Sequence, residues 1–216
     1  MRMPSSVQMK SLEKAAVTYG RSLTLATGYL SAKGIPDLDV VTGWRLGVVE
    51  SPEPGHDQYV GRLAIPYLNR AGVVGFKFRC LSDHDCKEFG HEKFMALPGQ
   101  PVFLYNVVAC DSAADTIHVV EGEPDTWVLS LVFPGEPVVG CPGAGQWQPH
   151  WPAHFRGFDR VLLWPDGDKA GRNMADKWRK EIPSAEVVRL PAGFDVAELF
   201  VAEGADIFRR LAGVEE

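Results

Sequence analysis

Two aspartates one residue apart, Asp166 and Asp168, follow the apolar run Arg160-Val-Leu-Leu-Trp164 and precede a segment with helical spacing from Ala170 to Ile182. In an extended chain, side chains two apart point the same way, so both carboxylates can aim at one point beyond the end of a strand. Such a pair suits a hard divalent cation. An Asp-Gly-Asp sequence is also what a strand-to-helix turn with an N-cap requires, and this stretch alone leaves both readings open. A second stretch bears on the choice. Thr116-Ile-His-Val-Val120 is β-branched and apolar, and it too ends in acid, glycine and helix, at Glu121-Gly-Glu-Pro-Asp125. In open parallel sheets, ligands bind beyond the carboxyl ends of the strands, so acids far apart in sequence can meet there.

The elements that must position these acids follow from the pattern between them. After residue 113 the chain alternates: strand 116–120, helix 124–132, strand 137–141, helix 147–156, strand 160–164, helix 170–182 and strand 185–190, with one or two short helices in 195–212. Alternation of this kind predicts an α/β fold with a mostly parallel sheet flanked by helices. Before it, residues 1–112 read as an α+β part. A helical stretch spans 7–33 and a short helix starts at Asp37. Two strands, 59–66 and 73–79, are joined by the turn residues Asn69-Arg-Ala-Gly72, and a further strand covers 102–107. Within 73–79, Gly75, Lys77 and Arg79 share one face, and Phe76 and Phe78 share the buried one. The boundary falls where the composition turns small and polar, giving domains 1–112 and 113–216.

The 216 residues carry 45% hydrophobic and 23% charged residues, as expected of a globular chain. No window has the length of a membrane span and the first residues lack a signal-peptide core, so no membrane partner is expected and the reading is cytosolic. A net charge of −6 gives no global attraction to nucleic acid, so any such binding needs local cations. Arg62, Arg70, Lys77, Arg79, Lys87 and Lys93 form one basic stretch, interrupted by acids. Four cysteines fit reduced thiols better than a disulfide framework. Cys80, His84, Cys86 and His91 crowd together and all are zinc-ligand types, but Cys-x3-His-x-Cys-x4-His matches no usual pairing of ligand spacings. Free thiols are therefore the favoured reading and a structural Zn²⁺ the alternative. Cys110 and Cys141 read as small apolar fillers, and Phe76, Phe78, Trp147 and Trp164 as core.

With these residues set out, the second part resembles a TOPRIM domain. That family pairs a strand-end Glu-Gly with a later Asp-x-Asp, here Val-Glu121-Gly-Glu-Pro-Asp125 and Trp-Pro-Asp166-Gly-Asp168-Lys-Ala-Gly171-Arg172. Gly61-Arg-Leu-Ala-Ile-Pro-Tyr, Val74-Gly-Phe-Lys-Phe-Arg79, Lys93-Phe-Met-Ala-Leu-Pro and Leu190-Pro-Ala-Gly-Phe-Asp195-Val-Ala-Glu198 are similar, in the same order, to motifs of the DnaG-type primase RNA polymerase core, bacterial or phage. Leu30-Ser-Ala-Lys-Gly-Ile-Pro is similar to the segment before that core. The resemblance runs over about residues 20 to 200.

It implies a primase catalytic core that makes short RNA primers on a single-stranded DNA template from NTPs. Glu121, Asp166 and Asp168 would be the catalytic acids holding Mg²⁺ or Mn²⁺, with Asp195 as a further metal ligand and Asp125 as an orienting group. Arg62, Lys77, Arg79 and Lys93 would meet NTP or nucleic acid, as would Lys169 and Arg172 beside the acids. Ala197 stands where the family usually has another acid, which weakens the auxiliary metal position. The zinc ribbon and helicase regions common in the family lie outside the matched motifs, so separate zinc-ribbon or helicase partner chains are expected. Two other readings use the same acids: a TOPRIM-type nuclease, and a primase-derived subunit that binds single-stranded DNA without turnover.

Overall fold

The computed structural model describes residues 3–213. The chain divides into two compact units, Met1–Pro101 and Val102–Glu216. The division lies upstream of the 112/113 boundary read from composition, because Tyr105 exchanges backbone hydrogen bonds in both directions with Gly140 and so joins residues 102–112 to the second unit. That exchange is an isolated bridge, and the strand expected over 102–107 is not formed.

The first unit is α+β. Helix α1 (Ser6–Gly20) begins at a capping box between Ser5 and Gln8. A 3₁₀ turn at Leu23–Ala26 separates it from α2 (Thr27–Ala32), so the helical reading of 7–33 breaks between Gly20 and Thr27. A four-stranded antiparallel sheet follows in spatial order β1 (Gly47–Val48), β2 (Arg62–Asn69), β3 (Gly72–Cys80) and β4 (Phe94–Ala96). The β2–β3 turn is held by Asn69, whose Oδ1 accepts from the Ala71 N–H at 2.8 Å. As the alternation predicts, Phe76 and Phe78 are fully buried against Leu12, Ala15, Tyr19 and Tyr59. The α1 face can approach the sheet only because Gly47 lacks a Cβ; one placed there would meet the Tyr19 carbonyl.

The second unit is α/β. Its four strands are all parallel, in spatial order β6 (Val138–Gly140), β5 (Thr116–Val120), β7 (Arg160–Trp164) and β8 (Ala185–Val187). They alternate with α3 (Glu123–Val132) and α4 (Lys169–Glu181) and are followed by α5 (Val196–Glu203) and α6 (Asp206–Ala212). The β-branched and apolar strands are buried on both faces, as crossover helices demand. The helix expected at 147–156 is only a 3₁₀ turn at Trp151–Phe155, since Pro149 and Pro152 restrict the backbone there. Its residues still serve the core: Trp147, Trp151 and Phe155 pack with Trp178 of α4. Cys141 is buried in the same cluster and Cys110 packs against it.

The two central strands are tied by a buried polar pair. Trp164 Nε1 donates to His118 Nδ1 at 3.0 Å, which leaves His118 Nε2–H to donate to Glu136 at 2.8 Å. Burial lowers the His118 pKa, against the opposing pull of Glu136.

Trp178 stacks on Trp147 with centroids 4.4 Å apart, yet its indole N–H is buried with no partner among the described residues. Phenylalanine would lose some packing but also remove the unsatisfied donor. Trp178→Phe should therefore change stability by less than about 1 kcal/mol, whereas Trp178→Ala should cost about 3–5 kcal/mol. Urea denaturation of both variants measures this.

Candidate active site

Strands β5 and β7 lie side by side with Val120 opposite Trp164, so the residues that follow them leave the sheet at one edge. Glu121 comes directly after β5 and Asp166 two residues after β7. The register brings them together: the Asp166 N–H donates to Glu121 Oε1 at 2.9 Å. Asp168 is the N-cap of α4, its Oδ1 accepting from the Gly171 N–H at 2.8 Å. The turn-and-cap reading of Asp168 is therefore realised, and the hydrogen bonds to Glu121 and Asp168 each use one carboxylate oxygen and leave the second uncommitted by that bond.

Two glycines make this turn possible. At Gly171 a Cβ would run into the Asp166 peptide and the Glu121 carboxylate, and at Gly167 into the Pro191 carbonyl. Gly167 N–H also donates to the Phe194 carbonyl at 2.8 Å, which draws the 191–194 loop, and Asp195 after it, to the same edge. Asp195 and Glu198 form a capping box at the start of α5, with Glu198 N–H on Asp195 Oδ1 at 2.6 Å. Asp125, near the start of α3, accepts from the buried Ala197 N–H at 3.1 Å. It therefore fixes the first turn of α5. Glu198 was not singled out from the sequence, although its place three residues after Asp195 is the capping-box signature.

The electrostatics follow from this crowding. Burial pushes the Asp166 carboxyl up to about 7, and the charges of Glu121, Asp195, Asp168 and Glu198 push the same way. Burial likewise raises Glu121; the Asp166 N–H opposes the shift, and Asp168 and Asp125 add to it. A carboxylate cluster held against its own repulsion and made only of oxygen donors fits a hard cation such as Mg²⁺ or Mn²⁺. Lys169 and Arg172 lie exposed beside it, with Arg172 Nη1 on the Gly167 carbonyl at 3.2 Å. A cavity of ≈ 180 Å³ next to Asp166 is lined by Arg172, Asp176, Arg179 and Arg189 among others. Arg179 and Arg189 did not stand out in the sequence, yet Arg172, Asp176 and Arg179 have the spacing of one helix face.

In the first unit, the basic residues divide. Lys77 Nζ sits 4.6 Å from the Phe94 ring centroid, and the Arg79 guanidinium stacks over Tyr29 at 3.9 Å while donating to the Cys80 carbonyl at 2.6 Å. Both stand on the half-buried face of β3 that the alternation predicts. Lys93 is exposed. Arg62 is buried, and its Nη1 donates to the Glu92 carbonyl at 2.9 Å, so its guanidinium holds the β3–β4 connection. Cys80, His84, Cys86 and His91, left mainly as free thiols and separate histidines by their spacing, come together in that connection with ligand atoms within 4.8 Å of one another.

No family model matches the chain. It is 35% identical over 153 residues to the Gene 57 protein of Mycobacterium phage D29, covering 95% of that protein and 68% of this chain. Among solved structures it is similar to a DNA primase domain from Pseudomonas aeruginosa (TM-score 0.75, 24% identity, 95% of this chain and 78% of that one). It is also similar to the RNA polymerase domain of Mycobacterium tuberculosis primase DnaG in complex with a double-stranded DNA oligomer bearing an overhang (TM-score 0.77, 22% identity, 97% and 80%). A third relative is a DnaG primase catalytic domain bound to single-stranded DNA (TM-score 0.74, 22% identity, 97% and 80%).

The chain belongs to the family of the phage Gene 57 protein and has the fold of a DnaG-type primase core. The first unit is the α+β part and the second the α/β part, divided at 101/102 and not at 112/113. Glu121, Asp166 and Asp168 follow the carboxyl ends of two neighbouring parallel strands.

Because the Asp166 pKa is raised from 3.8 to about 7, the folded metal-free chain holds a proton that the unfolded chain has released. Its stability therefore falls as pH rises between those two values. At pH about 8 we expect Asp166→Asn to raise the melting temperature of the metal-free chain by about 2–8 °C, with the gain vanishing near pH 4. Added Mg²⁺ or Mn²⁺ should stabilise the unsubstituted chain and leave the variant nearly unchanged. Thermal denaturation across pH, with and without cation, checks all three.

Proposed function

We propose that the chain is a DNA primase catalytic core that synthesises short RNA primers on single-stranded DNA by divalent-metal-dependent nucleotidyl transfer. The observation that carries this is the Glu121–Asp166 hydrogen bond, which brings acids from two strand ends together at a half-buried edge, where burial first and the neighbouring acids second raise Asp166 to about 7. The fold supports the reading, and so do its structural neighbours, among them a DnaG primase catalytic domain bound to single-stranded DNA.

In the reaction, the 3′-hydroxyl oxygen of the growing primer bonds to the α-phosphorus of an NTP. The bond to the bridging oxygen breaks, pyrophosphate leaves, and the hydroxyl proton passes to solvent. Glu121, Asp166 and Asp168 would hold Mg²⁺ or Mn²⁺, with Asp195 as an outer partner whose Oδ1 is committed to the cap. A bound divalent cation neutralises triphosphate charge and acidifies the attacking hydroxyl.

The protein's own part is positioning. The Asp166 and Gly171 N–H groups hold the Glu121 and Asp168 carboxylates so that their second oxygens stay available without a search over rotamers. Asp125 keeps α5, and with it Asp195, at the edge of the sheet. Lys77, Arg79, Lys93, Lys169 and Arg172 supply the cations for NTP and template, Arg by paired hydrogen bonds and Lys as a point charge. Arg179 and Arg189, which line the cavity beside Asp166, are added to that set. Arg62 acts through the connection it holds. Template selection and strand opening would come from zinc-ribbon or helicase partner chains, with the reaction taking place in the cytosol.

The test is NTP incorporation on a single-stranded template with Mg²⁺ or Mn²⁺. Glu121→Ala and Asp166→Ala should each lower incorporation by about a thousandfold or more, with filter binding of single-stranded DNA changed less than about twofold because phosphate contacts dominate it. Normal synthesis by either variant contradicts the proposal. Cleavage of labelled DNA in place of incorporation would make the same acids those of a nuclease.

A further inference from the structure

The connection between β3 and β4, residues 81–93, has no regular element and almost no apolar material of its own to hold it. Phe89 is 67% exposed, and its ring is stacked on His84. What the connection turns inward is sulfur and imidazole. Cys80 and Cys86 are buried, and His84 and His91 are half-buried. Cys80 Sγ lies 3.9 Å from His84 Nε2, and the two Nε2 atoms of His84 and His91 face each other at 2.7 Å. All four ligand atoms fall within 4.8 Å. A tetrahedral zinc with ordinary bond lengths puts its ligand atoms about 3.3–3.8 Å apart, so small side-chain rotations admit one.

The backbone shows how an irregular spacing still closes. Cys80 ends β3, its N–H donating to the Lys93 carbonyl at 2.9 Å, so the connection returns beside its own start. His91 N–H donates to the Cys86 carbonyl at 2.9 Å, and Gly90 adopts the positive φ that this reversal needs. The outer surroundings suit a metal as well. His91 Nδ1 lies 3.2 Å from the Glu92 carbonyl and 3.3 Å from Arg62 Nη2; with Nε2 on a metal, Nδ1–H would donate to the carbonyl, the kind of partner that fixes a ligating imidazole. Arg62 Nη1 binds the same carbonyl.

We propose that Cys80, His84, Cys86 and His91 hold one structural zinc ion. Two thiolates and two neutral imidazoles cancel the ion's charge, so the filled site adds no net charge to a half-buried pocket. Four protein ligands close the tetrahedron and leave no open position, which makes the site structural and not catalytic. Soft sulfur and borderline nitrogen favour zinc here as strongly as the oxygen cluster of the other unit favours magnesium. The ion ties the end of β3 to the start of β4, the segment that carries Arg79 and Lys93. The inference does not depend on the functional reading of the acids.

The test uses the full chain, purified without chelators from zinc-supplemented medium, in an Asp166→Asn background so that the carboxylate site is not counted. Elemental analysis should find about one zinc per chain, falling about tenfold or more in Cys86→Ser and in His91→Asn. Exchange with cobalt should give the intense visible bands of tetrahedral coordination and a thiolate charge-transfer band, a readout that requires no substitution within the cluster. Less than about a tenth of an equivalent of zinc together with no cobalt bands overturns the proposal. So does a Cys80–Cys86 disulfide found by mass spectrometry in place of the metal, or full metal retention in Cys86→Ser.

Discussion

Carboxylates repel one another, and burying them makes the repulsion stronger; the second unit is built around that constraint. Glu121, Asp166, Asp168, Asp195 and Glu198 act on one another at the carboxyl edge of a parallel sheet. Backbone N–H groups help hold them: Asp166 on Glu121, Gly171 on Asp168, Ala197 on Asp125 and Glu198 on Asp195. Helix starts supply three of these donors, and helix N-termini favour negative charge. The fold thereby orders the acids while leaving their net charge for a cation to neutralise. A metal-free chain that is strained by its own site is the expected consequence, and stability is given up where function requires it.

The close approach depends on glycine. Gly171 admits the Glu121 carboxylate and the Asp166 peptide against α4, and Gly167 admits the 191–194 loop. Neither position tolerates a Cβ, so the Asp-Gly-Asp-x-Ala-Gly pattern describes a packing requirement as much as a ligand set. The His118–Trp164 bond beneath it keeps β5 and β7 in the register that sets the Glu121–Asp166 distance.

Much of this was legible from residue types. The alternation of β-branched runs with helical spacing placed the parallel strands, and the acids at two strand ends marked the candidate site. Lys77 and Arg79 opposite Phe76 and Phe78 followed from the period of two. What escaped depended on long-range closure. Tyr105 joins the second unit through a single bridge to Gly140, which no local pattern announces. Trp147 to Phe155 packs like a helix face without being a helix, because two prolines forbid it. Arg62, read from the sequence as an NTP or nucleic-acid ligand, is buried and donates to the Glu92 carbonyl, a contact that no local pattern announces. The cysteines and histidines of 80–91 converge only because residues 91–93 fold back onto Cys80 and Cys86, so spacing rules drawn from short metal knuckles missed them.

If acids from separate strand ends share a divalent cation, anomalous diffraction from crystals soaked in Mn²⁺ should show a manganese peak bounded by the carboxylates of Glu121, Asp166 and Asp168 and lost in Asp166→Ala. A well-ordered cluster with no peak there, or manganese bound elsewhere while these acids pair only with backbone, would contradict it.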